Sequence, residues 1–98
     1  MDRNLQARYR MAGKVVLRRI GADRLLVPVL GEVAREGCVF PVNATGEFIW
    51  TCLAKGQTLG ETAAAVAAEF AVTPAAAHAD CGEFAAQLVA QRLLEVVG

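Results

Sequence analysis

A chain of 98 residues has room for one compact domain whose core is just large enough to fold alone, and none of its apolar runs approaches the ~18 residues that cross a bilayer. Ten basic residues balance ten acidic ones, yet seven of the basic and only two of the acidic fall in the first 24 positions, so the remaining chain is acidic and would repel phosphate. The hydrophobic share of 55% owes much to alanine, which buries little area, and the complete lack of serine excludes a serine nucleophile or a phosphopantetheine attachment site.

The opening "MDRNLQARYRMAGK" has no apolar segment of the kind a secretion signal needs, so a cytosolic protein is expected. Residues 1–13 show no hydrophobic period and read as a mobile basic arm ahead of a single domain over 14–98. "KVVLRRI" at 14–20 and "RLLVPVL" at 24–30 are rich in branched apolar residues and are separated by a turn at Gly21, which predicts a hairpin. Pro28 offers no N–H to a ladder and predicts an edge or a bulge at its position. After the polar connection "GEVAREG", "CVFPV" at 38–42 is a third short strand, and Pro41 leaves one side of it unpaired.

Asn43 is a good helix cap, and the helix it opens carries Phe48, Ile49, Cys52 and Leu53 on one broad face until Gly56 stops it. Thr58 and Glu61 form a capping box ahead of a second helix with Leu59, Thr62, Ala63, Val66 and Phe70 at spacings of three and four. Thr73-Pro74 opens a third, whose inward stripe is Ala77, Cys81, Phe84 and Leu88 and which reaches about Arg92. The order is β-β-β-α-α-α and the class α+β: a winged helix-turn-helix-like domain with a three-stranded antiparallel sheet followed by three helices.

Few residues suggest chemistry. His78 and Cys81 share one side of the third helix, but a metal site needs at least one more ligand, and Cys38 and Cys52 stand in other elements without metal-binding spacing; no metal and no cofactor are expected. Asp80 and Glu83 are three apart, but with no nucleophile or second base beside them they read as a solvated or partner-facing stripe, so the chain is expected not to be an enzyme. A DNA reader of winged-helix type needs basic or amide side chains on its recognition helix; here that helix bears Asp80, Glu83 and Gln87, with no Lys or Arg before Arg92. Nucleic-acid binding through the basic first strand and arm is the alternative reading, and the charge disfavours it.

The stretch "VNATGEFIWTCLAKGQTLGETAAAVAAEF", followed by "FAVTPAAAHADCGEFAAQLVAQRLLEV", resembles the PqqD-like proteins, the peptide chaperones also called RiPP recognition elements. Asn43, Gly46, Ile49-Trp50, Leu53, Gly56 and Thr58 keep the places of that family's first motif, and Asp80, Phe84, Leu88 and Leu93-Leu94 those of its closing one. The resemblance covers roughly residues 14–97. It departs at Val42 in place of leucine, at Pro41, and at Arg92 in place of the glycine that ends the last helix, where a positive φ would cost an arginine roughly 1 kcal/mol.

What the resemblance implies is recognition of the leader segment of a ribosomally made precursor, which is presented to a modifying enzyme such as a radical SAM protein or a peptidase. Strand addition supplies the physical means: an open strand edge takes an extended guest by main-chain bonds while neighbouring pockets choose its sequence. The expected site is Cys38, Val39, Phe40, Pro41 and Val42 on the third strand with Asp80, Glu83 and Gln87 on the third helix. Alternation puts Val39 and Pro41 on one strand face and Cys38, Phe40 and Val42 on the other, without deciding which faces the core. The same open edge admits a second copy of the chain, so a homodimer is the competing use of it.

Overall fold

The computed structural model describes residues 6–30 and 39–97. Eight elements follow one another: β1 (Arg8–Met11), β2 (Lys14–Ile20), β3 (Asp23–Leu30), β4 (Phe40–Val42), α1 (Ala44–Ala54), α2 (Leu59–Phe70), α3 (Pro74–Ala90) and β5 (Leu94–Val97). The sheet is antiparallel in the order β2-β3-β4, with the three helices after it, as the sequence predicts. The strand expected at 38–42 is β4; Cys38 and the connection at 31–37 lie outside the described residues.

The strands pair by side-chain alternation. Leu17, Leu26 and Phe40 lie abreast on one face, with Arg19, Arg24 and Val42 in the next row. That face meets the helices, where Leu26, Leu53 and Leu88 are fully buried and Trp50, Ile49 and Val66 nearly so. Pro28 is accommodated in the central strand for two reasons. Among the described residues β4 pairs only with Arg24–Leu26, so none of them asks for a bond from Pro28 on that side, and the β2 ladder shifts register beside it at Lys14/Val15.

All three helix starts form as their sequences dictate. The Asn43 side chain accepts from the Gly46 N–H at 2.8 Å, Thr58 and Glu61 close a reciprocal capping box, and Thr73 accepts from the Ala76 N–H with Pro74 behind it. Each cap is worth about 1 kcal/mol.

Two expectations are corrected. Residues 1–13 are not all an arm outside the sheet: Arg8–Met11 form β1, paired antiparallel with β5 from Arg8↔Val97 to Met11↔Leu94, and residues 1–5 lie outside the described residues. A strand of alternating arginines shows no apolar period, and what holds it is Tyr9 against the core together with a partner more than eighty residues away, which no local pattern reveals. Ala12 N–H donating to the Leu93 carbonyl and Leu59 N–H to the Ala7 carbonyl tie the ribbon down further.

The third helix ends at Ala90, two residues short of the reach expected from its sequence. Gln91 caps it, and Arg92 takes φ 63°, the left-handed conformation that glycine supplies without strain. The Leu93 N–H then closes onto the Leu88 carbonyl at 2.9 Å, so the chain turns sharply into β5. Arg92 accepts the strain because Leu93 and Leu94 are buried just beyond it. Arg92→Gly is therefore expected to stabilise the fold by about 1 kcal/mol, read as a rise in the urea midpoint at unchanged m-value.

Candidate peptide-binding groove

Among the described residues β4 is the border of the three-stranded sheet, and its pairing with β3 determines which of its main-chain groups remain open. The register is Arg24↔Val42, Leu25↔Pro41, Leu26↔Phe40. Antiparallel pairs alternate between those that exchange two bonds and those that exchange none. Pro41 has no N–H and cannot exchange two, so Phe40 and Val42 bond inward to β3 and the Pro41 carbonyl turns to the open side. β4 begins at Phe40; a guest that carried the same alternation one step back would meet the N–H and C=O of Val39 on the open side as well.

Side chains divide the other way. Phe40 and Val42 are half-buried against the core, whereas Pro41 is exposed and Val39 is 50% exposed. This settles the question alternation leaves open: the Phe40 and Val42 set faces the helices.

Between this border and α3 runs a groove of about 370 Å³. Phe40, Pro41 and Val42 line one side and Asp80, Phe84 and Gln87 the other, with Asn43, Gly46 and Ile49 from the start of α1 between them. Phe40 meets the Phe84 ring edge-on, centroids 6.0 Å apart. Of the residues expected from sequence, the groove thus brings together Phe40, Pro41, Val42, Asp80 and Gln87. Val39, one residue before β4, and Glu83, exposed on α3, lie outside the lining, and Cys38 falls outside the described residues.

Sequence reasoning misses Gly46 and Phe84 as groove residues. Helical spacing assigns Phe84 wholly to the core stripe of α3, yet it is only half-buried and its ring serves both core and groove. The signal for Gly46 is its unusual place, a glycine in the first turn of a helix. A Cβ there would stand 3.1 Å from both the Phe84 ring and the Val42 Cβ, so the small residue lets α1, α3 and β4 converge.

One ion cluster fixes the hairpin to this corner. Arg19 and Arg24 are directly opposed across β2 and β3, and Glu47 in the first turn of α1 takes a hydrogen bond from each, that from Arg24 at 2.6 Å. The bond from Arg19 does most to hold the Glu47 carboxyl below the ordinary glutamate range; partial burial opposes it and Arg24 reinforces it. Arg19 is 65% exposed and contributes little net stability, while Arg24, at 34%, is better shielded. Because the folded carboxyl is the stronger acid, its contribution is complete above the unfolded glutamate range and disappears as pH falls through the lowered folded value. Glu47→Gln also leaves two arginines face to face. It is expected to cost about 1–2 kcal/mol at pH 7, with a gap from the wild type that closes on acidification in chemical denaturation from pH 7 to 3.

Neither of the two described thiols lines the groove. Cys52 and Cys81 are buried and unpaired, and desolvation pushes the Cys81 thiol up to about 11, with the nearby Asp80 charge adding to it. No cluster of three or more His, Cys, Asp or Glu able to hold a metal ion occurs among the described residues. A second hollow of about 400 Å³ lies on the opposite flank of α3, lined by residues such as Tyr9, Ala86 and Val96, and no charged side chain lines it.

Comparison with known proteins bears on the family and the fold. The family model of coenzyme PQQ synthesis protein D (PqqD) matches residues 29–94. Two solved structures share the fold. TbiB1 in complex with the TbiA(beta) leader peptide is 27% identical and aligns with a TM-score of 0.72 over 88% of this chain and 94% of that one. The lasso peptide synthetase B1 complexed with the leader peptide is 17% identical, with a TM-score of 0.74 over 89% of this chain and 96% of that one. No curated protein sequence matches the chain.

Proposed function

The chain belongs to the PqqD family, and on that premise we propose that it is a non-catalytic binding protein that captures the leader segment of a ribosomal precursor peptide and presents it to a modifying enzyme. The single observation that carries this reading is the open border of β4, with main-chain groups turned outward beside a groove walled by α3. A leader strand laid along Val39–Val42 would continue the β2-β3-β4 sheet and place alternate side chains against Phe84, Ile49 and Asp80. TbiB1, whose structure contains a leader peptide, supports the reading as a similar protein sharing nearly the whole fold.

The chemistry of the groove suits binding rather than turnover. Asp80 and Gln87 are its polar α3 side chains and Asn43 and Thr45 those at the start of α1, and among the described residues no histidine, cysteine or lysine lines it. Phosphate is a poor partner for this flank, since Asp80 and the exposed Glu83 are both acidic. The client enzyme, a radical SAM protein or a peptidase, would take the presented peptide beyond the border strand. No helix among the described residues is long and apolar enough to cross a membrane.

Pro41 shapes the affinity. The guest finds the Val39 N–H, the Val39 carbonyl and the Pro41 carbonyl, but no donor at position 41, so the main-chain ladder is short and side-chain pockets carry more of the selection. The test is titration of the isotope-labelled chain with the leader of a precursor encoded beside its gene. Amide shifts concentrated in residues 39–46 and 80–87 are expected; shifts confined to residues 6–24 would overturn the reading. A second copy competing for the border would appear as a dimer that the leader dissociates.

A further inference from the structure

Among the described residues, Asp80 is the one charged residue lining the groove. It is exposed, and among the described residues it has no ion-pair partner. Glu83 lies one turn further along the same helix, exposed and outside the lining, and adds a second negative charge near the groove. Arg19 and Arg24, which reach the neighbouring corner, are both engaged by Glu47, and neither lines the groove. Next to Asp80 stands the half-buried Phe84 ring, backed by Phe40 at 6.0 Å.

An aromatic wall ending in a carboxylate is matched by a side chain with an apolar stem and a cationic head. The stem covers the ring and the head reaches the carboxylate, with the ring face adding attraction to the cation. An acidic guest residue would meet like charge here, and a short polar one would leave the ring uncovered. We propose that the guest residue crossing onto α3 is lysine or arginine, and that Asp80 is the residue that selects it. This rests on the strand-addition reading of the groove.

The test does not depend on the identity of the leader. A displayed library of random decapeptides is selected against the full wild-type chain, Asp80→Asn and Asp80→Lys, each checked by circular dichroism for an unchanged fold. Wild-type selections are expected to fix a lysine or arginine at a constant distance from an apolar residue. Asp80→Asn should lose that preference, and Asp80→Lys should exchange it for aspartate or glutamate. Peptides chosen by the wild type should bind Asp80→Lys at least about tenfold more weakly. Wild-type binders with apolar anchors but no fixed cation would overturn this inference and leave strand addition standing. A library from which the folded wild type retains nothing would overturn both.

Discussion

Gly46→Val is expected to destabilise the fold by about 2–3 kcal/mol and to remove leader binding. A Cβ at this position already lies 3.1 Å from the Val42 Cβ and 3.1 Å from the Phe84 ring. The two contacts differ in how easily they yield. The ring tip is the end of a rotatable side chain, but the Val42 Cβ is fixed to the border strand, so added bulk pushes β4 away from α1. Alanine would offset its crowding with a better helix propensity, up to about 1 kcal/mol, and Gly46→Ala should be nearly neutral. The γ-methyls of valine find no such compensation, and they displace the strand and the ring that form the two walls of the groove. Urea unfolding measures the stability loss, and calorimetric titration with the leader measures the binding loss. A Gly46→Val protein that binds normally would place the guest elsewhere.

The second large effect concerns main-chain groups alone. If a guest strand adds at β4, Val39→Pro removes an N–H that its carbonyl would take, and since the pairing of Phe40 and Val42 with β3 is untouched, folding stability should change little. The binding loss should be at least about tenfold, because an unpaired guest carbonyl is added to the missing bond. Pro41→Val does the reverse: it supplies the donor this chain lacks at the centre of its border and should tighten leader binding about fivefold, the equivalent of about 1 kcal/mol. Opposite outcomes from neighbouring positions, both read by titration with one peptide, separate a main-chain ladder from a merely apolar contact. Equal or absent effects at both positions would argue against the ladder.

Much of this architecture is legible in the sequence, for identifiable reasons. The three helix starts are local devices, each written in four or five consecutive residues, and Asn43, Thr58 and Thr73 act as their sequences dictate. Pro41 reveals an open border because proline's missing donor has the same consequence in any strand. The groove is half legible: Asp80 and Gln87 stand on its helical side as their spacing implies, while Glu83, on the same stripe, falls outside the lining.

What stays hidden depends on tertiary approach. β1 and β5 hold each other across almost the full length of the chain, and the arginines of β1 mask the inward Tyr9. Gly46 has no local role in its helix and acquires one only when Val42 and Phe84 arrive. Arg92 shows the converse, since a residue that argues against a left-handed turn adopts one because buried Leu93 and Leu94 require the chain to reverse there.

The most direct measurement of the open border is amide hydrogen exchange at Val39, free and saturated with the leader. An outward N–H on an unpaired border should exchange rapidly in the free chain and be strongly protected in the complex, while the Phe40 and Val42 amides, already bonded to β3, change far less. A Val39 amide protected before any peptide is added, or equally fast after saturation, would contradict strand addition at β4.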